Sequence, residues 1–85
     1  MRSAVLNDKN LRRFWFNTSR GAGLGVTAYS LGDARAILEE QSLTSGVEII
    51  GVIEDVDVAQ LDQGHVIPNM GPPNFRGVWF PNLLR

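Results

Sequence analysis

Apolar residues recur along this chain at two spacings, and the change from one to the other marks its elements. Over Arg12 to Thr18, RRFWFNT, Phe14 and Phe16 fall on one face at period two, with Arg13, Trp15 and Asn17 on the other. That alternation, rich in aromatics, predicts a strand. A turn follows at residues 19–23, where Gly21 and Gly23 are expected to supply the positive φ of a tight hairpin. The same alternation resumes with Leu24, Val26 and Ala28 facing the core and Gly25, Thr27 and Tyr29 facing away, so the first two strands read as a hairpin.

The period then changes. Ser30 followed by Asp33 is a capping-box-like start, and Leu31, Ala34, Ile37 and Leu38 recur at helical spacing. Two acids, Glu39 and Glu40, oppose the helix dipole if they close the helix, so its end is expected near Leu43, with Ser45-Gly46 terminating it. Val47 to Val58, VEIIGVIEDVDV, is the longest β-branched run. Val47, Ile49 and Ile53 point one way and Ile50 and Val52 the other, which predicts a central strand buried on both faces. Its second face is expected to be covered by the loop that follows or by another copy of the chain.

Residues 59–74, AQLDQGHVIPNMGPPN, hold three prolines and two glycines, which forbid regular structure, while Leu61, Val66, Ile67 and Met70 serve as apolar anchors. A long ordered loop of this kind is often functional. Phe75 to Phe80 is the last predicted strand, with Val78 and Phe80 on the core face, Trp79 opposite and Pro81 as its stop. Leu83 and Leu84 read as a packing tail, and residues 1–10 as a short arm. The fold class is therefore α+β: an antiparallel-rich sheet of about four strands, ordered hairpin, helix, strand, loop, strand, with one helix on one face. This element order resembles a β-grasp arrangement. Residues 1–85 make one small domain whose single modest core a dimer partner would reinforce.

Composition narrows the chemistry. With no cysteine, disulfides, thiolate metal sites and cysteine nucleophiles are excluded. The start of the chain has no apolar signal-peptide core and no run reaches membrane-spanning length, so a cytoplasmic location is expected. The net charge of −1 conceals a division. Residues 1–20 carry five basic side chains against one acid, residues 21–62 carry eight acids against Arg35, and the remainder adds Arg76 and Arg85. Such a division serves either internal pairing or a partner surface.

Four groups of residues are candidates for function. Asp55, Asp57, Asp62 and His65 combine oxygen ligands with an imidazole, as a divalent metal requires. However, Ala59 and Gln60 break the calcium-loop pattern counted from Asp55. The glycine-rich RGAGLG, Arg20 to Gly25, precedes a strand and not a helix, which makes it a hairpin turn in preference to a phosphate cradle. Arg12, Arg13 and Trp15, with Lys9 and Arg20, can hold single-stranded nucleic acid by phosphate contact and stacking. Phe75, Arg76 and Trp79 beside a proline-stiffened loop are residue types that anchor protein interfaces. No nucleophile stands with a base at a recognisable spacing, and no cofactor is implied.

The segments GVTAYS, DVDV and NMGPPN-x-x-GVWFP resemble those of uncharacterised short bacterial single-domain proteins, over residues 12–82. The resemblance implies a bacterial, single-domain setting and carries over no catalytic residue. Proteins of this size and acidic character include immunity proteins, antitoxins and adaptors. The expected function is thus a non-enzymatic protein-binding module, an inhibitor in which Glu54, Asp55, Asp57 and Asp62 act as phosphate mimics, with Phe75, Arg76 and Trp79 as further contacts. The alternatives are a small metal-dependent enzyme using the Asp/His group and a single-stranded nucleic-acid binder using the basic strand.

Overall fold

The computed structural model describes residues 10–21, 23–61, 64 and 66–81. All of the predicted arm but Asn10, the predicted tail at Leu83 and Leu84, Asp62 and His65 lie outside these residues. The described chain forms β1 (Arg12–Thr18), β2 (Gly23–Ala28), α1 (Leu31–Glu40), β3 (Ile49–Glu54) and β4 (Gly77–Phe80). The four strands make one sheet in the order β3-β1-β2-β4, antiparallel at every junction. Helix α1 packs across one face, so the α+β reading holds.

The hairpin, and not β3, is the centre. Among the described residues β3 pairs only with β1 and forms one edge of the sheet. The β-branched run that suggested a central strand is explained otherwise. Thr18 stands opposite Ile49 while Asn17 stands opposite Gly51, so Ile50 is an extra residue in a β-bulge. The bulge brings Ile49 and Val52, which strict alternation would set on opposite faces, to the helix side together. Ile50 is left 65 % exposed.

A second bulge acts the same way at the opposite edge. Val26 pairs with Val78 and Gly25 with Phe80, leaving Trp79 as the extra residue. Val78 packs towards the helix, whereas Trp79 and Phe80 both go to the other face. The expectation that Phe80 shares the face of Val78 is corrected by this one-residue slip.

Two hydrophobic clusters result. Beneath the helix lie Phe14, Phe16, Leu24, Val26 and Ala28 with Ala34, Ile37 and Leu38. On the opposite face Trp15, Trp79, Val56 and Val66 pack together, with Val58, Leu61, Met70 and Phe80 around them. The loop between β3 and β4 therefore covers the second face. Trp15 stacks on Phe80 at 5.5 Å and tilts against Trp79 at 5.9 Å.

Helix α1 begins as predicted. The Ser30 hydroxyl accepts from Asp33 N–H at 3.0 Å, and the Asp33 carboxylate accepts from Tyr29 N–H at 3.0 Å. It ends at Glu40, three residues before the predicted Leu43. Ser42 adopts φ 59°, its N–H donates to Glu39 C=O and Leu43 N–H donates to Leu38 C=O at 3.0 Å, the bonding of a Schellman motif. Leu43 folds back onto the core instead of continuing the helix, which fixes where the chain turns towards β3.

Candidate functional site

The acidic end of β3 is organised by one arginine. Arg12 Nε donates to Asp55 Oδ1 at 2.9 Å and Arg12 Nη2 to Asp55 Oδ2 at 2.8 Å, a two-pronged clasp. The same Nη2 reaches Glu54 Oε1 at 2.9 Å. These bonds hold the Asp55 carboxyl below its ordinary range and the Arg12 guanidinium above its own. Asp55 itself sits at φ 55°, a turn that lets Val56 N–H return to Arg13 C=O at 3.1 Å. Asp57 Oδ1 accepts from Ala59 N–H at 3.0 Å and caps a short 3-10 turn at Val58–Gln60.

These partners bear on the metal reading. Asp55 and Asp57 each have a carboxylate oxygen committed within the chain. Among the described residues no group of three or more acid, histidine or cysteine side chains is placed to hold a metal.

The basic aromatic strand does not present a stacking surface. Trp15 is 8 % exposed and lies under the loop, its Nε1 donating to Asn17 Oδ1 at 3.2 Å. Arg12 is clasped as described. Arg13 Nε donates to Pro73 C=O at 3.3 Å, and burial holds its guanidinium below the ordinary value, with Asp57 acting against that. The expectation that Trp15 offers a ring to a base is corrected by its burial.

The glycines of RGAGLG have a different purpose from the phosphate cradle and, in part, from the turn. Gly21 does turn the chain, at φ +83°. By contrast, a Cβ on Gly23 would stand 1.9 Å from Trp15 Cζ2, and one on Gly25 would stand 2.5 Å from Trp79 Cζ3. Both glycines clear space for an indole lying on β2. Side-chain absence, not positive φ, is what Gly23 contributes.

The proline-rich loop is pinned at one carbonyl. Pro73 C=O accepts from the buried Thr27 hydroxyl at 2.6 Å as well as from Arg13 Nε. Arg13 and Thr27 are cross-strand partners, so one rung of the hairpin grips the loop from both strands. Between loop and sheet lies a cleft of about 340 Å³, walled by Arg13 and Asp57 and by Val58, Ile67, Met70 and Pro73.

Of the proposed interface anchors on this side, Phe75 is 51 % exposed. Arg76 remains on the surface but donates through Nε and Nη2 to both oxygens of Asp33 at the helix start. Trp79 is 1 % exposed and belongs to the second core, so it is not a surface anchor. Its Nε1 has no hydrogen-bond partner among the described residues. Alternation sets Trp79 on the face opposite Val78, and there the loop residues Val66, Leu61 and Met70 cover it.

The two edges of the sheet differ. On β4, Gly71 N–H donates to Trp79 C=O at 2.6 Å, so the chain's own loop covers that edge. Along β3 no described element pairs with the outer side. Ile50 at 65 % and Ile53 at 47 % exposure stand there, with Glu48, Glu54 and Asp55 exposed around them. Beside the start of β3 a groove of about 350 Å³ is lined by Arg35, Glu39, Thr44, Val47, Glu48 and Ile49.

Sequence reasoning assigned Ile50 and Ile53 to a core. The signal that would have found them is Gly51, since an isolated glycine within a strand pattern marks a bulge. No protein-family profile, curated protein or solved structure matches this chain.

Proposed function

We propose that this chain is a small protein-binding module, without chemistry of its own, whose contact surface is the acidic end and open edge of β3. The observation that carries the reading is the pair of large isoleucines, Ile50 and Ile53, exposed on a strand edge that no described element covers. Exposed aliphatic side chains on an unpaired edge invite association, and folded proteins ordinarily blunt such edges. Here the surrounding carboxylates, Glu48, Glu54 and Asp55, keep the patch soluble and steer a basic partner towards it. Phe75 and Arg76 add a second exposed area on the far side of the sheet. An inhibitor of a basic, nucleic-acid-acting protein, of the immunity or antitoxin kind, suits this charge. Because Arg12 already clasps Asp55 and Glu54, phosphate mimicry falls more to Asp57 and Glu48 than to the strand end itself.

Capture from native lysate tests this. The tagged protein is compared with an Ile50→Ser/Ile53→Ser variant, which removes the exposed apolar side chains without adding charge. A stoichiometric protein retained by the parent and lost by the variant is expected. An empty capture, or one indifferent to the two substitutions, overturns the reading.

A further inference from the structure

β3 offers more than an apolar patch, because its outward backbone groups are placed for pairing. Two bonds set the phase of the β1–β3 ladder: Ser19 N–H to Glu48 C=O at 2.8 Å, and Val56 N–H to Arg13 C=O at 3.1 Å. Residues of an antiparallel strand alternate between bonding one neighbour and the other. Ile53, opposite Trp15, and Gly51, opposite Asn17, consequently bond towards β1. The N–H and C=O groups of Val52 and Glu54 point the other way, along the open edge.

The side chains flanking this edge sort by face. On the helix side, β3 carries Ile49, Val52 and Glu54 in line with Thr18, Phe16 and Phe14, and the groove holding Glu39 and Glu48 opens beside its start. On the opposite face stands Ile53, across from Trp15. Four carboxylates, Glu39, Glu48, Glu54 and Asp55, surround the edge against two guanidiniums, Arg12 and Arg35. A strand lying about 4.8 Å outside β3 would alternate its side chains between these two environments.

Resting on the protein-binding reading above, we propose that the partner adds a strand to the outer edge of β3: an extended segment in which lysine or arginine alternates with apolar residues. Its basic side chains meet Glu39 and Glu48 on the helix side, where Arg12 already holds Glu54, and its apolar side chains cover Ile53 and lie beside the bulged Ile50. Main-chain bonds to Val52 and Glu54 supply the affinity, and the alternation supplies the specificity. The opposite edge is closed to the same mode, since Gly71 already occupies Trp79 C=O.

The test uses the whole protein and two blocked octapeptides, one alternating lysine with valine and one alternating glutamate with valine. Binding is followed by NMR, with amide exchange read at Val52 and Glu54. The lysine peptide is expected to bind at least about tenfold more tightly than the glutamate peptide. At saturation it should slow exchange of the Val52 and Glu54 amides at least about tenfold relative to free protein. Ile50→Ser/Ile53→Ser, which removes the apolar contacts without adding charge and is shown folded by its amide spectrum, should weaken the lysine peptide by a similar factor. Absence of lysine-peptide binding up to about 1 mM overturns the proposal, as does equal binding of both peptides. Binding that leaves Val52 and Glu54 exchanging at their free rates also overturns it. The two readings fail separately. A lysate partner lost on substituting the isoleucines, with no protection of Val52 and Glu54, refutes strand addition alone. The absence of any lysate partner refutes the binding reading.

Discussion

Replacing Gly25 by alanine places one methyl group where the Trp79 ring already lies. The added Cβ would stand 2.5, 2.6 and 2.7 Å from three carbons of that indole, well inside van der Waals contact. Trp79 cannot easily move aside, because it is 1 % exposed and packed with Trp15, Val56 and Val66. Overpacking of this kind costs about 1–3 kcal/mol. Alanine recovers about 0.4–1 kcal/mol by restricting the unfolded chain. The net loss is then about 1–2 kcal/mol, and a domain of this size loses roughly 5–15 °C in Tm for it.

Gly32→Ala is the control. The nearest atom to its added Cβ is Ser30 Oγ at 3.9 Å, and the residue lies inside α1, where alanine is the better helix former by about 1 kcal/mol. Urea or thermal unfolding monitored by tryptophan emission reads both variants. Gly25→Ala should melt below the parent with red-shifted emission, and Gly32→Ala at or above it. If Gly25→Ala melts at or above the parent with unchanged emission, the indole does not occupy that space and the account of the second core is wrong.

Thr27→Val removes the hydroxyl that donates to Pro73 C=O at 2.6 Å and leaves Arg13 Nε as that carbonyl's described partner. A loss of about 1 kcal/mol in urea unfolding is expected, with faster proteolytic nicking within residues 55–76. The Asp33 carboxyl is held below its ordinary range, first by Arg76 and then by Tyr29 N–H. A depressed folded-state pKa contributes stability that is full above the unfolded value of about 3.9 and is lost as pH falls through the folded value. Acid titration of Tm should therefore show a smaller decline below about pH 4 in Asp33→Asn than in the parent, with the variant less stable at pH 7. Equal acid declines would sink that assignment.

Much of the fold follows from local pattern. The hairpin is visible in the alternation of Phe14 and Phe16 with Leu24, Val26 and Ala28, because one buried face imposes period two whatever lies beyond it. Ser30 and Asp33 announce the helix start, since the cap is closed by residues three apart. Of the candidate residues, Arg12, Glu54 and Asp55 were legible as charges but not as one clasp, because 42 and 43 positions separate Arg12 from its two partners. Arg76 and Asp33, also 43 apart, became a pair only when β4 was laid beside β2.

Sequence by itself determined the element types, the helix-side core and the apolar anchors of the long loop, all of which depend on spacings within a few residues. Tertiary structure alone decided which strand is central, which edge no described element covers and which isoleucines face water. The physical reason is the bulge. One extra residue at Ile50 and one at Trp79 reverse the side-chain phase of β3 and β4, and a bulge exists only with respect to the strand it pairs against. Before β1 takes its place, Gly51 in VEIIGVIE can mark a bulge but does not say which isoleucine is buried and which faces water.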